Sequence, residues 1–122
     1  MKIAITSTGQ TRDSQVDPRF GRAAYFIVAD TENMEFKIIE NQNINAAGGA
    51  GVNSAKVVID AEAQAVLTGN CGPNAQRTLS AAGVKLYTEV KGTVSEAIEL
   101  FKTGGLIETA EPNVQSRFGM GK

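Results

Sequence analysis

The sequence contains no histidine and only one cysteine in 122 residues. Histidine is the usual general base at neutral pH and the commonest metal ligand in proteins. Its absence excludes zinc sites built on Cys and His spacing, and it excludes Ser-His and Cys-His nucleophilic machinery. A single cysteine cannot form an internal disulfide, which fits a reducing compartment. We therefore expect a cytoplasmic protein whose site does not depend on imidazole chemistry.

A strong excess of either charge is also lacking. The formal net charge is −1, from 12 basic and 13 acidic residues, so no basic field points to nucleic acid. The first ten residues, "MKIAITSTGQ", hold an apolar run too short for a signal peptide or a membrane span. We expect neither nucleic acid nor membrane as a partner. The length and the 42% hydrophobic content predict one domain with a core of its own.

Residue patterns predict alternating strands and helices. Short runs rich in β-branched and aromatic residues predict strands at 2–7, 24–29, 35–40, 65–69 and 84–89. Helical spacing of apolar residues predicts helices at 52–63, 73–82 and 94–103. Leu79 and Ala82 are expected to face inward from the second helix. Thr93 and Glu96 form a capping box at the start of the third.

The order of these elements predicts an α/β fold. The short connection "DTEN" makes the second and third strands an antiparallel hairpin, and helices between the later strands imply parallel neighbours. The result is a three-layer α/β/α sandwich of ribonuclease-H-like type, with a mixed five-stranded sheet of order 3-2-1-4-5 and strand 2 antiparallel. A flavodoxin-like order is the rival, and the hairpin argues against it. The domain is predicted to span residues 1–106, followed by a flexible tail at 107–122.

Three loops are predicted to meet at one edge of this sheet, where open α/β sheets bind ligands. They are "STGQTRDSQVDPRFGR", "GGAG" and "GNCGPN", and the last two open helices. Helix N-termini offer unpaired N–H groups and partial positive charge, and glycines let a ligand approach the backbone. The candidate binding residues are Arg12, Arg19, Phe20, Gly21, Arg22, Gly48, Gly49, Ala50, Gly51, Gly69, Asn70, Cys71, Gly72, Pro73 and Asn74.

Single residues in this set have plainer interpretations. Arginines are usually solvated, and Arg22 is the strongest candidate among them because it directly precedes the second strand. Each glycine-rich loop could be only a strand-to-helix turn. Cys71 could be a small buried hydrophobe, or a thiolate whose pKa is lowered by the helix N-terminus. The residues leave both possibilities open.

Four stretches in order resemble the dinitrogenase iron-molybdenum cofactor-binding domain family: "DPRFGRAAYFIV", "GGAG", "LTGNCGPNAQRTLSAAGVKLY" and "GTVSEAIELFKTG". The resemblance runs from Met1 to about Leu106. It implies a ribonuclease-H-like fold and the binding of an anionic metal–sulfur cluster, such as the iron-molybdenum cofactor or a precursor. The chain is similar to the short stand-alone type, the orange proteins, which hold a molybdenum–copper sulfide cluster non-covalently. Cluster donor or acceptor proteins are the implied partners.

The sequence departs from family carriers that have a histidine in the glycine-rich loop, since residues 47–51 read "AGGAG". This departure argues against ligation of metal by the loop. The position of Cys71 is often apolar in the family, so its thiol is only a possible metal ligand. The leading expectation is a cluster-binding or carrier protein that is not an enzyme.

Two alternatives come from other functional classes. A phosphate- or nucleotide-binding module would share the anion pocket, but the chain lacks the Lys-Ser/Thr phosphate signature. A metal-dependent nuclease-like enzyme would need a carboxylate on the first strand. The residues there are Ile3, Ala4, Ile5 and Thr6, none of which is acidic, and this argues against the nuclease alternative.

Overall fold

A computed structural model describes residues 1–42 and 49–109. The elements, in chain order, are β1 (Lys2–Ser7), β2 (Tyr25–Asp30), β3 (Phe36–Glu40), α1 (Ala50–Asp60), β4 (Ala65–Leu67), α2 (Pro73–Ala81), β5 (Lys85–Tyr87) and α3 (Val94–Lys102). The predicted type and order of the elements are confirmed. In this part of the chain no helix is long and apolar enough to cross a membrane.

The five strands form one mixed sheet of order β3-β2-β1-β4-β5. β2 is antiparallel to both β1 and β3, whereas β4 is parallel to β1 and to β5. The predicted α/β fold and strand order are therefore confirmed, and the ribonuclease-H-like label stays a prediction. β1, β3, β4 and β5 all end at one edge of the sheet, which places the connections that follow them side by side.

Helices cover both faces of the sheet and make the three layers. α1 and α2 pack on one face, where Val58 and Leu79 are fully buried together with Phe26 and Val66. α3 packs on the other face, where Ile98 contacts the cluster that contains Ile5 and Ile27. Alternate residues of β2 thus point into different cores, as the two-residue period of a strand requires.

Several boundaries differ from the sequence prediction. α1 begins at Ala50, two residues early, directly after Gly49 in the left-handed conformation (φ 74°). The hairpin connection runs from 31 to 35, one residue later than the predicted strands imply, and Met34 has a positive φ of 59°. Ala82, expected to face inward, is exposed because α2 has already ended at Ala81.

The two outer strands of the sheet, β5 and β3, differ in what lies beside them. Beyond β5, the N–H of Thr109 donates to the carbonyl of Leu86 (2.7 Å), and the N–H of Thr88 donates to the Thr109 hydroxyl (3.0 Å). The chain therefore stays attached to the sheet three residues past the predicted domain boundary at 106. The rest of the predicted tail, 110–122, lies outside the described residues. β3, the outer strand on the other side of the sheet, carries the half-exposed Ile38.

Candidate functional site

A cavity of about 230 Å³ opens at the edge of the sheet between the first turns of α1 and α2. Ten residues line this edge cavity: Phe20, Gly21, Gly49, Ala50, Gly51, Val52, Gly72, Pro73, Asn74 and Ala75. Four of the ten are glycine, so much of the wall is backbone. The cavity is therefore suited to a ligand recognised by N–H groups more than by side chains.

Two of these glycines allow the three walls to come together. A Cβ on Gly21 would lie 2.9 Å from the backbone nitrogen and 3.0 Å from the Cα of Gly51. A Cβ on Gly51 would lie 3.2 Å from the Cβ of Ala75. The loop after β1, the start of α1 and the start of α2 thus pack with almost no side chain between them.

The loop at 17–24 is fixed against the loop that follows β4. The N–H of Asn70 donates to the carbonyl of Pro18 (2.7 Å), and the N–H of Phe20 donates to the carbonyl of Asn70 (3.1 Å). A Cβ on Gly69 would lie 2.6 Å from the Cα of Pro18, so only glycine fits there. Gly69 and Asn70 therefore hold two walls together, and neither of them lines the edge cavity.

The carbonyl of Gly21 is held from the side of α1. The Ser54 hydroxyl and the Asn41 amide nitrogen both donate to this oxygen at 3.2 Å. Asn41 also donates to the carbonyl of Ala23 (2.8 Å). Both polar side chains are buried, so these bonds set the position of Gly21 relative to the helix.

α1 and α2, which begin at the cavity, have different N-caps from α3, which does not. The N-cap residues of α1 and α2 are Gly49 and Gly72; neither supplies a side-chain hydrogen bond, and neither first turn holds an acidic residue. α3, on the other face, has the complete capping box of Thr93 and Glu96 that the sequence predicted. The first N–H groups of a helix lack intrahelical partners and carry partial positive charge. Both helices therefore direct donors at the cavity.

Asp17 is the buried charge of the site, with 1% of its surface exposed. Its carboxylate accepts from the N–H of Arg19 (3.0 Å), near the start of the loop, and from the N–H of Ala24 (3.3 Å), at its end. It also accepts from the Arg19 side chain, Nε at 3.3 Å. The guanidinium of Arg19, 60% exposed, is therefore paired with a carboxylate, which partly neutralises its charge.

Arg12 is the candidate that the structure separates from the others. Its guanidinium lies 4.6 Å from the centre of the Phe36 ring, beside Ile27, on the face of the sheet that α3 covers. The edge cavity opens on the other face, where Phe20 belongs to the core beneath α1 and α2. Arg22, half-buried, directly follows the cavity residue Gly21.

Cys71 lies under the start of α2 and is 1% exposed. It belongs to the apolar core with Phe20 and Ala75, and its Sγ lies 3.7 Å from the carbonyl oxygen of Gly72. Burial raises the pKa of the thiol to about 12. Of the two possibilities that the sequence left open, the burial of Cys71 and the raised pKa of its thiol favour the small buried hydrophobe.

Within residues 1–42 and 49–109, ligand side chains for a metal ion are not gathered around this cavity. The described residues contain no group of three or more His, Cys, Asp or Glu side chains that could hold a metal. One other cavity, also of about 230 Å³, is less suited to an anion because the acids Asp30 and Glu35 line it as well as two lysines.

The structure therefore defines a small α/β domain with a cavity, lined largely by backbone, where the strands of its sheet end. Comparison with known sequences shows which domain it is. The family described as "Dinitrogenase iron-molybdenum cofactor" matches residues 1–104. The chain belongs to this family, as the sequence motifs predicted.

Three relatives cover nearly the whole chain. The apo form of the orange protein from Desulfovibrio gigas has a similar structure, with a TM-score of 0.90 and 39% identity over 93% of this chain and 96% of that one. The NMR structure of TM1290 from Thermotoga gives a TM-score of 0.79 and 38% identity, covering 93% and 98%. An uncharacterized protein of Methanocaldococcus jannaschii, MJ0580, is 32% identical over 109 residues, 87% of this chain and 89% of its own.

The sequence predicted most of the residues that line the edge cavity, but not Asp17, which holds the loop beside it. Eight of the candidates line the edge cavity, and Gly48 lies outside the described residues. Val52 and Ala75 line it too and were missed, although their positions in the first turns of two predicted helices could have indicated them. Asp17 was also missed. The signal was its place directly before a proline, where an Asp side chain commonly accepts from the N–H two residues on.

Proposed function

We propose that the protein binds an anionic metal–sulfur cluster non-covalently in the edge cavity and carries it between proteins, and that it acts by binding and not as an enzyme. The observation that carries this proposal is the convergence of two helix N-termini, both without side-chain caps, on one cavity. Membership of the iron-molybdenum cofactor family and the likeness to the orange protein support a cofactor-binding or accessory role.

The donors at the cavity fit such a ligand. Sulfide atoms at the surface of a cluster carry negative charge and accept hydrogen bonds from backbone N–H groups. The N–H groups of Ala50, Gly51 and Val52 lie in the first turn of α1, and those of Asn74 and Ala75 in the first turn of α2. Pro73, at the first helical position, has no N–H to offer, so the donors of α2 begin one residue later.

A thiolate is not required in this mode of binding. The Cys71 thiol is buried and protonated at neutral pH, and its ionisation inside the apolar core is opposed by loss of solvation. The cluster would be held by many N–H donors and by positive charge, with its own sulfides completing the coordination of the metals. Arg22 is the arginine we assign to the ligand, because it directly follows the cavity residue Gly21.

The size of the cavity favours a small inorganic anion. Its volume of about 230 Å³ lies below the range of about 300–1,000 Å³ that is usual for drug-sized organic ligands. A compact sulfide cluster of molybdenum with copper or iron therefore fits better than a nucleotide. Among these we favour the molybdenum–copper type, because the likeness to the orange protein extends over 93% of the chain. The partners would be the proteins that donate and accept the cluster.

Titration of the purified protein with tetrathiomolybdate, alone and with copper(I), under anaerobic conditions tests the proposal. We expect a visible absorption band that travels with the protein through gel filtration, with molybdenum in a fixed ratio to protein. Inorganic phosphate and ATP serve as competitors. If no coloured complex forms and phosphate or ATP binds instead, the site belongs to a phosphate- or nucleotide-binding module. Metal analysis of protein from its native cell then identifies the cluster.

A further inference from the structure

Gly72 differs from the other glycines of the edge cavity because the fold does not require it. Gly49 has a φ of 74°, a Cβ on Gly21 would lie 2.9 Å from backbone of Gly51, and a Cβ on Gly51 would make a tight 3.2 Å contact with the Cβ of Ala75. Gly72 has φ −76° and ψ 169°, a conformation that any residue adopts, and a Cβ there would meet no atom within 4 Å. Neither backbone strain nor crowding explains a glycine at this position.

Helix capping does not require glycine either, because several residues with side chains cap a helix better. Gly72 is the N-cap of α2, a position where Ser, Asp and Asn stabilise a helix by accepting from the N–H of the second or third helical residue. In α2 those residues are Asn74 and Ala75, both of which line the cavity. A capping side chain would therefore occupy the same N–H groups that face the ligand.

We infer that Gly72 is a specificity-determining position, at which the absence of a side chain reserves the N–H groups of Asn74 and Ala75 for the sulfide atoms of the ligand. This inference rests on the proposed function, because it assigns a role toward the same cluster. α3 provides the contrast within the chain. It opens away from the cavity, and its N-cap, Thr93, accepts from the N–H of Glu96 at 3.1 Å.

The substitution Gly72→Ser separates helix capping from ligand binding. Its hydroxyl supplies a cap, so the melting temperature should stay the same or rise slightly, since serine is at least as good an N-cap as glycine. The affinity for tetrathiomolybdate, alone and with copper(I), should fall about tenfold or more, because one or two hydrogen bonds to a charged ligand are lost. Gly72→Ala adds only a methyl group and should weaken binding less than serine does.

Thr93→Ala is the matched control. It removes a cap from the helix that does not open on the cavity, so it should lower the melting temperature and leave the affinity for tetrathiomolybdate unchanged. Gly72→Ser that binds as tightly as the parent protein overturns the inference and leaves the proposed function in place. A parent protein that forms no complex overturns both. Melting curves and visible titrations of all four proteins distinguish these results.

Discussion

Gly21 and Gly51 meet backbone to backbone: a Cβ on Gly21 would lie only 2.9 Å from the nitrogen of Gly51. Through this contact the loop after β1 lies directly against the first turn of α1. No flexible side chain stands between them to absorb an added methyl group. The shape of the edge cavity therefore depends on the size of these two residues.

Gly21→Ala should displace the start of α1 and destabilise the protein by about 1–3 kcal/mol, the usual cost of overpacking a tight contact. Gly105→Ala is the matched control. Its Cβ would also meet an atom at 2.9 Å, but that atom is the Cδ2 of Leu100, which can move. Urea unfolding should show a loss for Gly21→Ala and a change within about 0.5 kcal/mol for Gly105→Ala. Equal losses would show that the backbone contact is not special.

Arg22→Ala should weaken binding of the thiomolybdate–copper complex by about 1–3 kcal/mol, because a charge-assisted hydrogen bond to the anion is lost. Arg12→Ala removes the same charge from the other face of the sheet, where Arg12 lies over Phe36, and should leave the affinity nearly unchanged. Visible titrations of both variants at two salt concentrations provide the measurement. If both variants lose the same affinity, net charge alone governs binding and Arg22 has no special place.

Asp17→Ala should cost more stability than Arg19→Ala, although the two side chains form one ion pair. Removing the carboxylate leaves the N–H groups of Arg19 and Ala24 without their acceptor, at a cost of about 1–3 kcal/mol. Removing the Arg19 side chain, which is 60% exposed, should cost about 1 kcal/mol or less. Chemical denaturation of the two variants compares these values. A larger loss for Arg19→Ala than for Asp17→Ala would show that Asp17 contributes mainly through its ion pair with Arg19 and not by holding the loop.

The Cys71 thiol should make stability fall in alkali. Its pKa is raised by burial from an ordinary value of 9.0 to about 12 in the folded protein. Below pH 9 both states hold the proton, and the stability is unaffected. As the pH rises from 9 toward 12 the unfolded state loses the proton first, so the free energy of unfolding falls by up to about 1.4 kcal/mol per pH unit.

Cys71→Ala serves as the control for this pH dependence, because a change in other groups at alkaline pH would affect both proteins alike. The difference between the parent and the variant should grow only above pH 9. The variant should also keep its thiomolybdate complex, because the thiol is not assigned as a ligand. A variant that folds but stays colourless would show that the sulfur coordinates metal after all.

The fold could be predicted from the sequence because its main signals are local. The hairpin and the capping box of Thr93 and Glu96 depend on neighbours in the chain, and both are confirmed. The strand order followed because few topologies satisfy a hairpin with parallel crossovers. The convergence of the glycine-bearing loops at one edge followed from that order.

The details of the site were less accessible because they depend on contacts distant in sequence. The path that takes Arg12 to Phe36 is set by tertiary packing, and no local pattern reports it. The state of the Cys71 thiol depends on its burial in the core, which raises its pKa. The ordinary conformation of Gly72, in contrast to the left-handed Gly49, became visible only in the backbone angles.

The attachment of Thr109 to β5 bears on how the protein resists aggregation. Thr109 occupies the carbonyl of Leu86 and the N–H of Thr88, the groups by which another strand would join that side of the sheet. Proteolysis after residue 106 would uncover both groups and leave a bare strand edge, a template for pairing with other chains. Thr109 thus protects β5 from such pairing, and a protein shortened to the family match, which ends at residue 104, should aggregate more readily.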